Sequence, residues 1–353
     1  MTGSHAAATA DGQAVDGDGS DFARLARRIR QAGLLDRRPG HYAVRSALVA
    51  ALFAACWAAF AALGDSWWQM LLAVAMAAVF AQVGFLAHDL GHRQVFRGRR
   101  LSQAAGLLVG DLLIGMSYGW WVDKHTRHHI HPNHERYDPD VSPAVIVWSA
   151  RQAAVATGLP RFVCRYQAFL FFPVLLLEGL HLHVAGVRRL LRRPHLRHRL
   201  LEAVLLAVHV VLYLGAVCTV LPAGKAAAFV LVHQAAFGLY LGCTFAPNHK
   251  GMLTRTGEDG LDFLRRQVLT SRNIRGGRLL DVLYGGLNHQ IEHHLFPSMP
   301  APNLRRARPI VRAYCAEIGV PYEETGLLAS YGRILRHLHA VGAGLRRPER
   351  TGA

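Results

Sequence analysis

The most regular pattern in the chain is a set of long apolar runs that come in two pairs. Short turns at 64–66 and 222–225 join the two members of each pair. Each run approaches the ~20 residues that a helix needs to cross the hydrocarbon core of a bilayer. The pattern predicts an all-α integral membrane protein with four transmembrane helices in two hairpins. The runs cover residues 44–63, 67–87, 200–221 and 226–246.

Two further apolar stretches, 101–121 and 169–187, are interrupted by polar groups. The first contains Asp111 among several glycines, and the second contains Glu178 and two histidines. Such groups are expensive in lipid. If only one of the stretches crossed the membrane, the histidine-rich segments described below would lie on opposite sides. We therefore expect both stretches to be re-entrant or in-plane helices.

The remaining segments are more polar and divide the chain into four parts. Residues 1–20 are rich in Ala, Gly and Asp and are expected to be a disordered tail. Residues 21–40 predict a basic amphipathic helix lying on the cytoplasmic membrane surface. Residues 41–300 form the membrane domain. Helical apolar spacing returns in 301–353, which we interpret as a C-terminal cytosolic helical cap and tail.

Composition and charge indicate where the protein lies. Hydrophobic residues make up 52% of the chain, and the net charge is +17. A soluble protein with this charge would suggest nucleic acid as a partner. Here the arginine-rich segments flank the apolar runs, as the positive-inside rule requires. We therefore exclude nucleic acid and predict a multi-pass protein of the cell membrane that contacts membrane lipids and has its basic side in the cytoplasm.

Histidines at helical spacing follow the apolar runs or lie between them. Residues three or four positions apart share one face of a helix, so each group can direct several imidazoles at one point. Neutral imidazole is a ligand for iron, zinc, copper and nickel. Because one iron or zinc takes four to six ligands, this set suits two metals better than one. The candidate ligands are His88, His92, His125, His128, His129, His249, His293 and His294.

Motifs for other chemistries are missing from the sequence. It contains no dinucleotide-binding glycine fingerprint, no P-loop and no nucleophile elbow. Hydrolysis by a zinc-bound water needs only about three protein ligands. An all-nitrogen site for two metals suggests iron and dioxygen instead.

Four strings that contain these histidines together resemble the membrane fatty acid desaturases over about residues 40–300. A glutamine replaces the first histidine of the last string, which is similar to the front-end subgroup. That subgroup inserts a double bond between an existing one and the carboxyl end. The strings are His-Asp-Leu-Gly-His at 88–92, His-Thr-Arg-His-His at 125–129, Phe-Ala-Pro-Asn-His-Lys-Gly at 245–251 and Gln-Ile-Glu-His-His-Leu-Phe-Pro at 290–297.

The resemblance implies a di-iron centre at the cytosolic membrane face. It would use O2 and two electrons to remove two hydrogens from adjacent carbons of a long acyl chain, carried as acyl-CoA or acyl-lipid. Gln290 stands at a ligand position of the family, but we do not expect it to bind metal directly. By motif position the ligands are His88 and His92 in the first box, His125, His128 and His129 in the second, His293 and His294 in the third, and His249 as the additional ligand.

The electron source is expected to be a separate protein. Many front-end desaturases carry a fused cytochrome b5 domain with a His-Pro-Gly-Gly motif. The nearest string here is Arg-Pro-Gly-His at 38–41. The resemblance therefore implies ferredoxin with its reductase, or a cytochrome b5-like protein, as the donor. A basic cytosolic face would suit an acidic carrier.

Other interpretations of the histidines stay open at this point. A hydroxylase on the same scaffold would use the same ligands. A metal transporter or a haem-binding electron carrier would place ligands within the spans, where only His209 and His233 are candidates. Acidic residues near the boxes either accept the second ring N–H of a ligand histidine or are plain surface or turn residues. These are Asp89, Asp138, Asp140 and Glu292.

Overall fold

The structure is a computed structural model that describes residues 19–142, 145–192, 198–257 and 259–346. Nearly all of the expected disordered tail, 1–20, lies outside these residues. The elements are α1 (Asp21–Gln31), α2 (Pro39–Leu63), α3 (Gln69–Gly91), α4 (Arg99–Leu107) with a π-helical extension (Leu108–Leu113), α5 (Tyr118–Ile130), α6 (Ala150–Val155), α7 (Gly158–Leu175), α8 (Glu178–Arg192), α9 (Arg199–Val220), α10 (Ala223–His249), α11 (Phe263–Leu269), β1 (Asn273–Arg275), α12 (Arg278–Leu283), α13 (Gln290–Leu295), α14 (Ala301–Glu317), β2 (Glu324–Gly326), α15 (Leu327–Val341) and α16 (Ala343–Arg346).

The four predicted spans are confirmed as long apolar helices, α2, α3, α9 and α10. Their core is aromatic: Phe80 of α3 packs against Phe53, Tyr213, His233 and Phe237 from the other three spans. The two short turns lie together at one end of the bundle, where Lys225 Nζ is 2.7 Å from Asp65 Oδ1. The hairpins therefore run side by side with their histidine-bearing ends at the opposite end.

The two ambiguous stretches form bent helix pairs. The first pair, α4 with its π-helical extension and α5, bends by 113°, and the second, α7 and α8, bends by 82°. Arg189 of α8 binds Asp123 of α5 at 2.8 Å, and Arg199 at the start of α9 donates to the Leu190 carbonyl at 2.8 Å. The ends of α5 and α8 therefore both return to the histidine-bearing side, as expected of re-entrant segments.

The apolar face of α1 is covered by protein. Leu25 and Ile29 are fully buried in a cluster that includes Leu264, Ile291 and Leu304. On the outer face Arg28 binds Glu317 at 2.8 Å. The amphipathic helix is present and its apolar face packs on protein; its place on the cytoplasmic membrane surface stays a prediction. The alternation of basic and apolar residues does not distinguish a lipid surface from an apolar protein surface.

The C-terminal helices pack on the histidine-bearing end of the bundle. In α15, Ser330 donates to the Pro247 carbonyl at 2.8 Å, next to the end of the last span. The only strands among the described residues, β1 and β2, form a parallel pair in which Asn273 is opposite Glu324. Apart from this short pair the fold is helical, as predicted.

The bend between the π-helical segment and α5 depends on a glycine. Gly115 has a φ of +67°, and a Cβ built there would lie 2.4 Å from the His209 ring. The same turn is held by His183, whose Nδ1–H donates to the Gly115 carbonyl at 2.7 Å.

We expect Gly115→Ala to lower the apparent melting temperature of the purified protein. The strained φ and the clash should together cost roughly 1–3 kcal/mol. Gly215→Ala is the control, because Gly215 lies within α9 with open space around it. Equal melting temperatures for both variants in detergent would contradict this role of Gly115.

Candidate metal centre

The structure brings all eight candidate histidines to one place. His88 lies in the last turn of α3, with His92 as its C-cap, and His249 ends α10. His125, His128 and His129 occupy the second half of α5, while His293 and His294 lie in α13. Each pair at i and i+4 shares a helix face. The four elements therefore aim their imidazoles at a common volume at one end of the bundle.

The first cluster contains His88, His92, His125 and His293, whose ring nitrogens lie within 4.8 Å of one another. His88 Nε2 is 3.2 Å from His293 Nε2. His129 joins this cluster at its edge, because its Nε2 lies 3.1 Å from Nε2 of both His125 and His293.

The second cluster contains His128, His249 and His294. His128 Nε2 is 3.3 Å from His249 Nε2. The clusters are adjacent, since the rings of His129 and His294 stack with centroids 4.2 Å apart. Consecutive residues on a helix point about 100° apart, so each His-His pair supplies one ring to each cluster.

Acidic residues form a further possible group with one of these rings. Asp138 and Asp140 lie close enough to His128 for the three to hold a metal. However, His128 uses Nδ1 for Asp138 at 2.9 Å, while its Nε2 faces His249. The carboxylates are therefore better placed to orient the ring than to share a metal with it.

Most of these imidazoles are held in the neutral form that binds metals. Burial, reinforced by the neighbouring rings, keeps the pKa of five of them well below the usual value: His92, His125, His129, His293 and His294. Burial also lowers the pKa of His128, but Asp138 and Asp140 outweigh it and the net shift is upward.

Several inward-facing nitrogens have no hydrogen-bond partner among the described residues. His92 Nε2 and His294 Nε2 are both buried without such a partner. Elsewhere Nε2 atoms face each other at 3.1–3.3 Å. A buried polar atom without a partner costs about 1–3 kcal/mol, and one metal ion per cluster would satisfy them together. The residues therefore fit two imidazole-ligated metal ions.

The outer nitrogens of four rings are fixed by specific acceptors. His88 Nδ1 lies 3.0 Å from Asp89, which in turn binds Arg45 at 2.8 Å. His128 uses Asp138, as described above. The remaining two contacts are His249 Nδ1 with the Thr270 carbonyl at 3.0 Å and His294 Nδ1 with Gln267 Oε1 at 2.9 Å. Such partners set the tautomer and the ring orientation.

The sequence predicted part of this outer layer. Asp89 and Asp138 accept from the ring nitrogens of candidate ligand histidines. For these two residues, the role of acceptor therefore fits better than that of a plain surface or turn residue. Glu292 does not serve in this way: it accepts from Asn273 at 2.8 Å and from Tyr322 at 2.6 Å. The box pattern gave no signal for Gln267 or for the Thr270 carbonyl, because neither lies in a histidine motif.

Gln290 lies at the second cluster. Its Nε2 is 2.9 Å from His249 Nε2, and its Oε1 accepts from Asn248 at 3.3 Å. The Gln290 side chain therefore lies against a candidate ligand ring of the second cluster.

An apolar wall separates the first cluster from the span core. The Trp121 ring stacks on His125 with centroids 4.6 Å apart and meets His88 edge-on at 5.6 Å. Trp121 also packs against the hydrophobic core between the spans.

Comparison with known proteins gives a consistent result. Residues 65–326 match the fatty acid desaturase family. An acyl-lipid (9-3)-desaturase of Physcomitrium patens is 34% identical over 276 residues, which are 75% of this chain and 52% of that protein. The chain thus spans about half the length of this relative.

Two other relatives are similar over more of their length. A Delta(8)-fatty-acid desaturase of Helianthus annuus is 28% identical over 86% of this chain and 69% of its own. A Delta(5) fatty acid desaturase of Caenorhabditis elegans is 29% identical over 85% of this chain and 69% of its own.

We expect Gln267→Leu to weaken metal binding about 10–100-fold. The change removes the acceptor for His294 and the donor to the His129 carbonyl. Gln152→Leu is a matched control: Gln152 is also buried and makes two hydrogen bonds, to Trp148 and Val141, away from the histidines. Iron content by plasma emission spectroscopy after dialysis against chelator measures the effect. Equal iron loss in both variants would show that Gln267 acts only on stability.

Proposed function

The chain belongs to the fatty acid desaturase family, and from this premise we propose that it is an oxygen-dependent fatty acyl desaturase. It would introduce a cis double bond into a long acyl chain carried as acyl-CoA or acyl-lipid. The observation that carries the proposal is the pair of adjacent clusters of buried and half-buried imidazoles. Family membership supplies the reaction class, and the clusters supply a place for it.

The proposed ligands divide between two iron ions. His88, His92, His125, His129 and His293 would hold one, and His128, His249 and His294 the other. Bound iron supplies the oxidising power that activates O2 and breaks an unactivated C–H bond, which no protein side chain provides. Overall, two hydrogens leave adjacent acyl carbons. O2 takes both hydrogens with their two electrons, two more electrons from the donor and two protons from solvent, and becomes two waters.

The contribution of the protein is position and exclusion of water. Asp89, Asp138 and Gln267 hold three ligand rings at fixed angles, so the metals would meet preorganised ligands. Trp121 and the apolar core keep the approach to His125 and His88 dry. The C–C bond that lies beside the first cluster is then set by how far the acyl chain enters.

We place the histidine-bearing side in the cytoplasm. Between the spans, the opposite end carries only Asp65 and Lys225 as charged residues among those the structure describes. Arginines concentrate on the histidine side, including Arg93, Arg97 and Arg99, as the positive-inside rule predicts. The same basic face would receive an acidic electron carrier, ferredoxin with its reductase or a cytochrome b5-like protein.

The front-end assignment is part of the proposal. The glutamine at position 290 and the names of the relatives, Delta(5) and Delta(8), both favour double bonds counted from the carboxyl end. The substrate is then an acyl chain whose carboxyl end stops near the cytoplasmic surface.

Replacement of His293 by Ala should abolish product formation, because His293 lies 3.1–3.2 Å from two other ligand nitrogens. The measurement is a mass-spectrometric acyl profile with double-bond location. The host cells should supply ferredoxin and its reductase and be fed saturated and monounsaturated fatty acids. His339→Ala, on the exposed face of α15, is the control and should keep full activity.

A new double bond in the unmodified protein and in the control alone would support the proposal. Its position relative to an existing double bond would test the front-end assignment. An oxygenated acyl product would instead identify a hydroxylase. Full activity of His293→Ala would contradict the site.

For the second cluster, we expect His249→Ala to lose about half of the bound iron and all turnover, because a site with few ligands cannot spare one. Gln290→Ala should keep the iron and lose turnover only in part. Full iron content in His249→Ala would remove His249 from the ligands, whereas iron loss in Gln290→Ala would add Gln290 to them.

A further inference from the structure

A cavity of about 360 Å³ lies between α5 and α8, outside the metal centre. Trp120 of α5 forms one wall. The α8 side presents His181, Arg188, Arg189 and Arg192. Three arginines in one cavity are an unusual concentration of positive charge for a surface that meets a membrane.

The positive charge of this cavity is only partly compensated. Arg189 binds Asp123 through Nη2 at 2.8 Å, but its buried Nε has no hydrogen-bond partner among the described residues. Asp123 also lies 3.5 Å from Arg127, so its charge is shared. Within the described part of the chain, Arg188 and Arg192 make no hydrogen bond or ion pair. The cavity therefore has guanidinium groups free to bind an anion.

The other side of α8 is apolar. A second cavity of about 420 Å³ shares Val184, Arg188 and Arg192 with the first and continues along Val187 and Leu191. Leu180, Val184, Val187 and Leu191 are 47–72% exposed and repeat every three or four residues. An exposed apolar stripe beside basic residues is typical of a helix that contacts lipid.

The cavity is also close to the metal centre. Trp120 lines it, and the next residue, Trp121, stacks on His125. Arg189 of α8 binds Asp123, which lies on α5 together with both tryptophans. An anion bound by the α8 arginines would therefore lie beside α5, the helix that supplies three of the candidate ligands, and Arg189 is tied to that helix through Asp123.

We propose that the α5–α8 cavity binds the phosphate group of an acyl-bearing amphiphile, an acyl-CoA or a phospholipid. The arginines would bind the phosphate oxygens, and the acyl chain would leave along the apolar stripe. Guanidinium groups match the several acceptor oxygens of a phosphate and bind them in a bidentate manner. Only the identification of this ligand as the substrate rests on the proposed function; phosphate binding itself does not require turnover.

Binding can be measured without catalysis. The purified full-length protein in dodecyl maltoside is titrated with dioleoylphosphatidic acid, coenzyme A or dioleoylglycerol, and bound fractions are read by native mass spectrometry. Dioleoylglycerol has the same chains as the first probe but no phosphate. The double variant Arg188→Gln/Arg192→Gln is compared with Arg99→Gln/Arg100→Gln, which also removes two exposed charges from the histidine-bearing side.

We expect the Arg188/Arg192 variant to bind a phosphate probe about tenfold more weakly, since two charge-assisted contacts are lost. The Arg99/Arg100 variant should bind like the unmodified protein. Arg188→Lys/Arg192→Lys, which keeps the charge but loses bidentate geometry, should fall between them and serves if the glutamine variant is unstable.

The two phosphate probes, coenzyme A and phosphatidic acid, distinguish an acyl-CoA from a phospholipid as the ligand. Loss of coenzyme A binding in the Arg188/Arg192 variant would identify the thioester carrier, and loss of phosphatidic acid binding alone would identify a phospholipid. Unchanged binding of both probes, or binding of dioleoylglycerol as tight as that of phosphatidic acid, would overturn the proposal. Because no product is measured, a negative result here is distinct from a failure of the desaturase assignment.

Discussion

The structure depends on keeping eight imidazoles together in a buried volume. Burial keeps the pKa of five of these rings well below the usual value, and one metal ion per cluster would satisfy the facing nitrogens together. Segments that are distant in the sequence must come together to form this volume, because the rings come from α3, α5, α10 and α13. The ends of two spans, a re-entrant helix and a short surface helix must therefore meet at one level of the bundle.

That meeting point explains the bend of the first helix pair, which ends in α5. α5 can present His125 and His129 beside His88 only if the chain that leaves the end of α3 returns to the same end of the bundle. A straight fifth span would carry these rings to the opposite side. The bend at Gly115, with its φ of +67° and its carbonyl bound by His183, makes the return possible. Asp111, the acidic residue that makes 101–121 a poor span, lies at the same turn, where its Oδ2 accepts from the Tyr118 backbone N–H at 3.4 Å.

The sequence predicts what is periodic and local. The spans follow from apolar length, and the ligands from spacing on a helix face. Contacts between distant segments produce no periodic pattern in the sequence. Gln267 of α11 accepts from His294, and the Thr270 carbonyl accepts from His249. The case of α1 shows the same limit, because Leu25 and Ile29 form an apolar stripe whose cover, protein or lipid, depends on α11 and α14. Hydrophobicity determines that a face is buried but not its partner.

The geometry of α5 relates the anchoring of a substrate to the position of the reaction. Trp120 borders the arginine cavity and His125 belongs to the first cluster, five residues further along, which is a rise of about 7.5 Å. If the charged end of an acyl amphiphile is held in the cavity and its chain is oxidised at the cluster, α5 borders both places, and the α8 arginines are tied to it through the contact of Arg189 with Asp123. The reacting carbons are then counted from the carboxyl end, irrespective of the length of the chain beyond the cluster. A front-end desaturase acts between an existing double bond and the carboxyl end, so a short, fixed distance between the proposed anchor and the proposed metal site would favour that position.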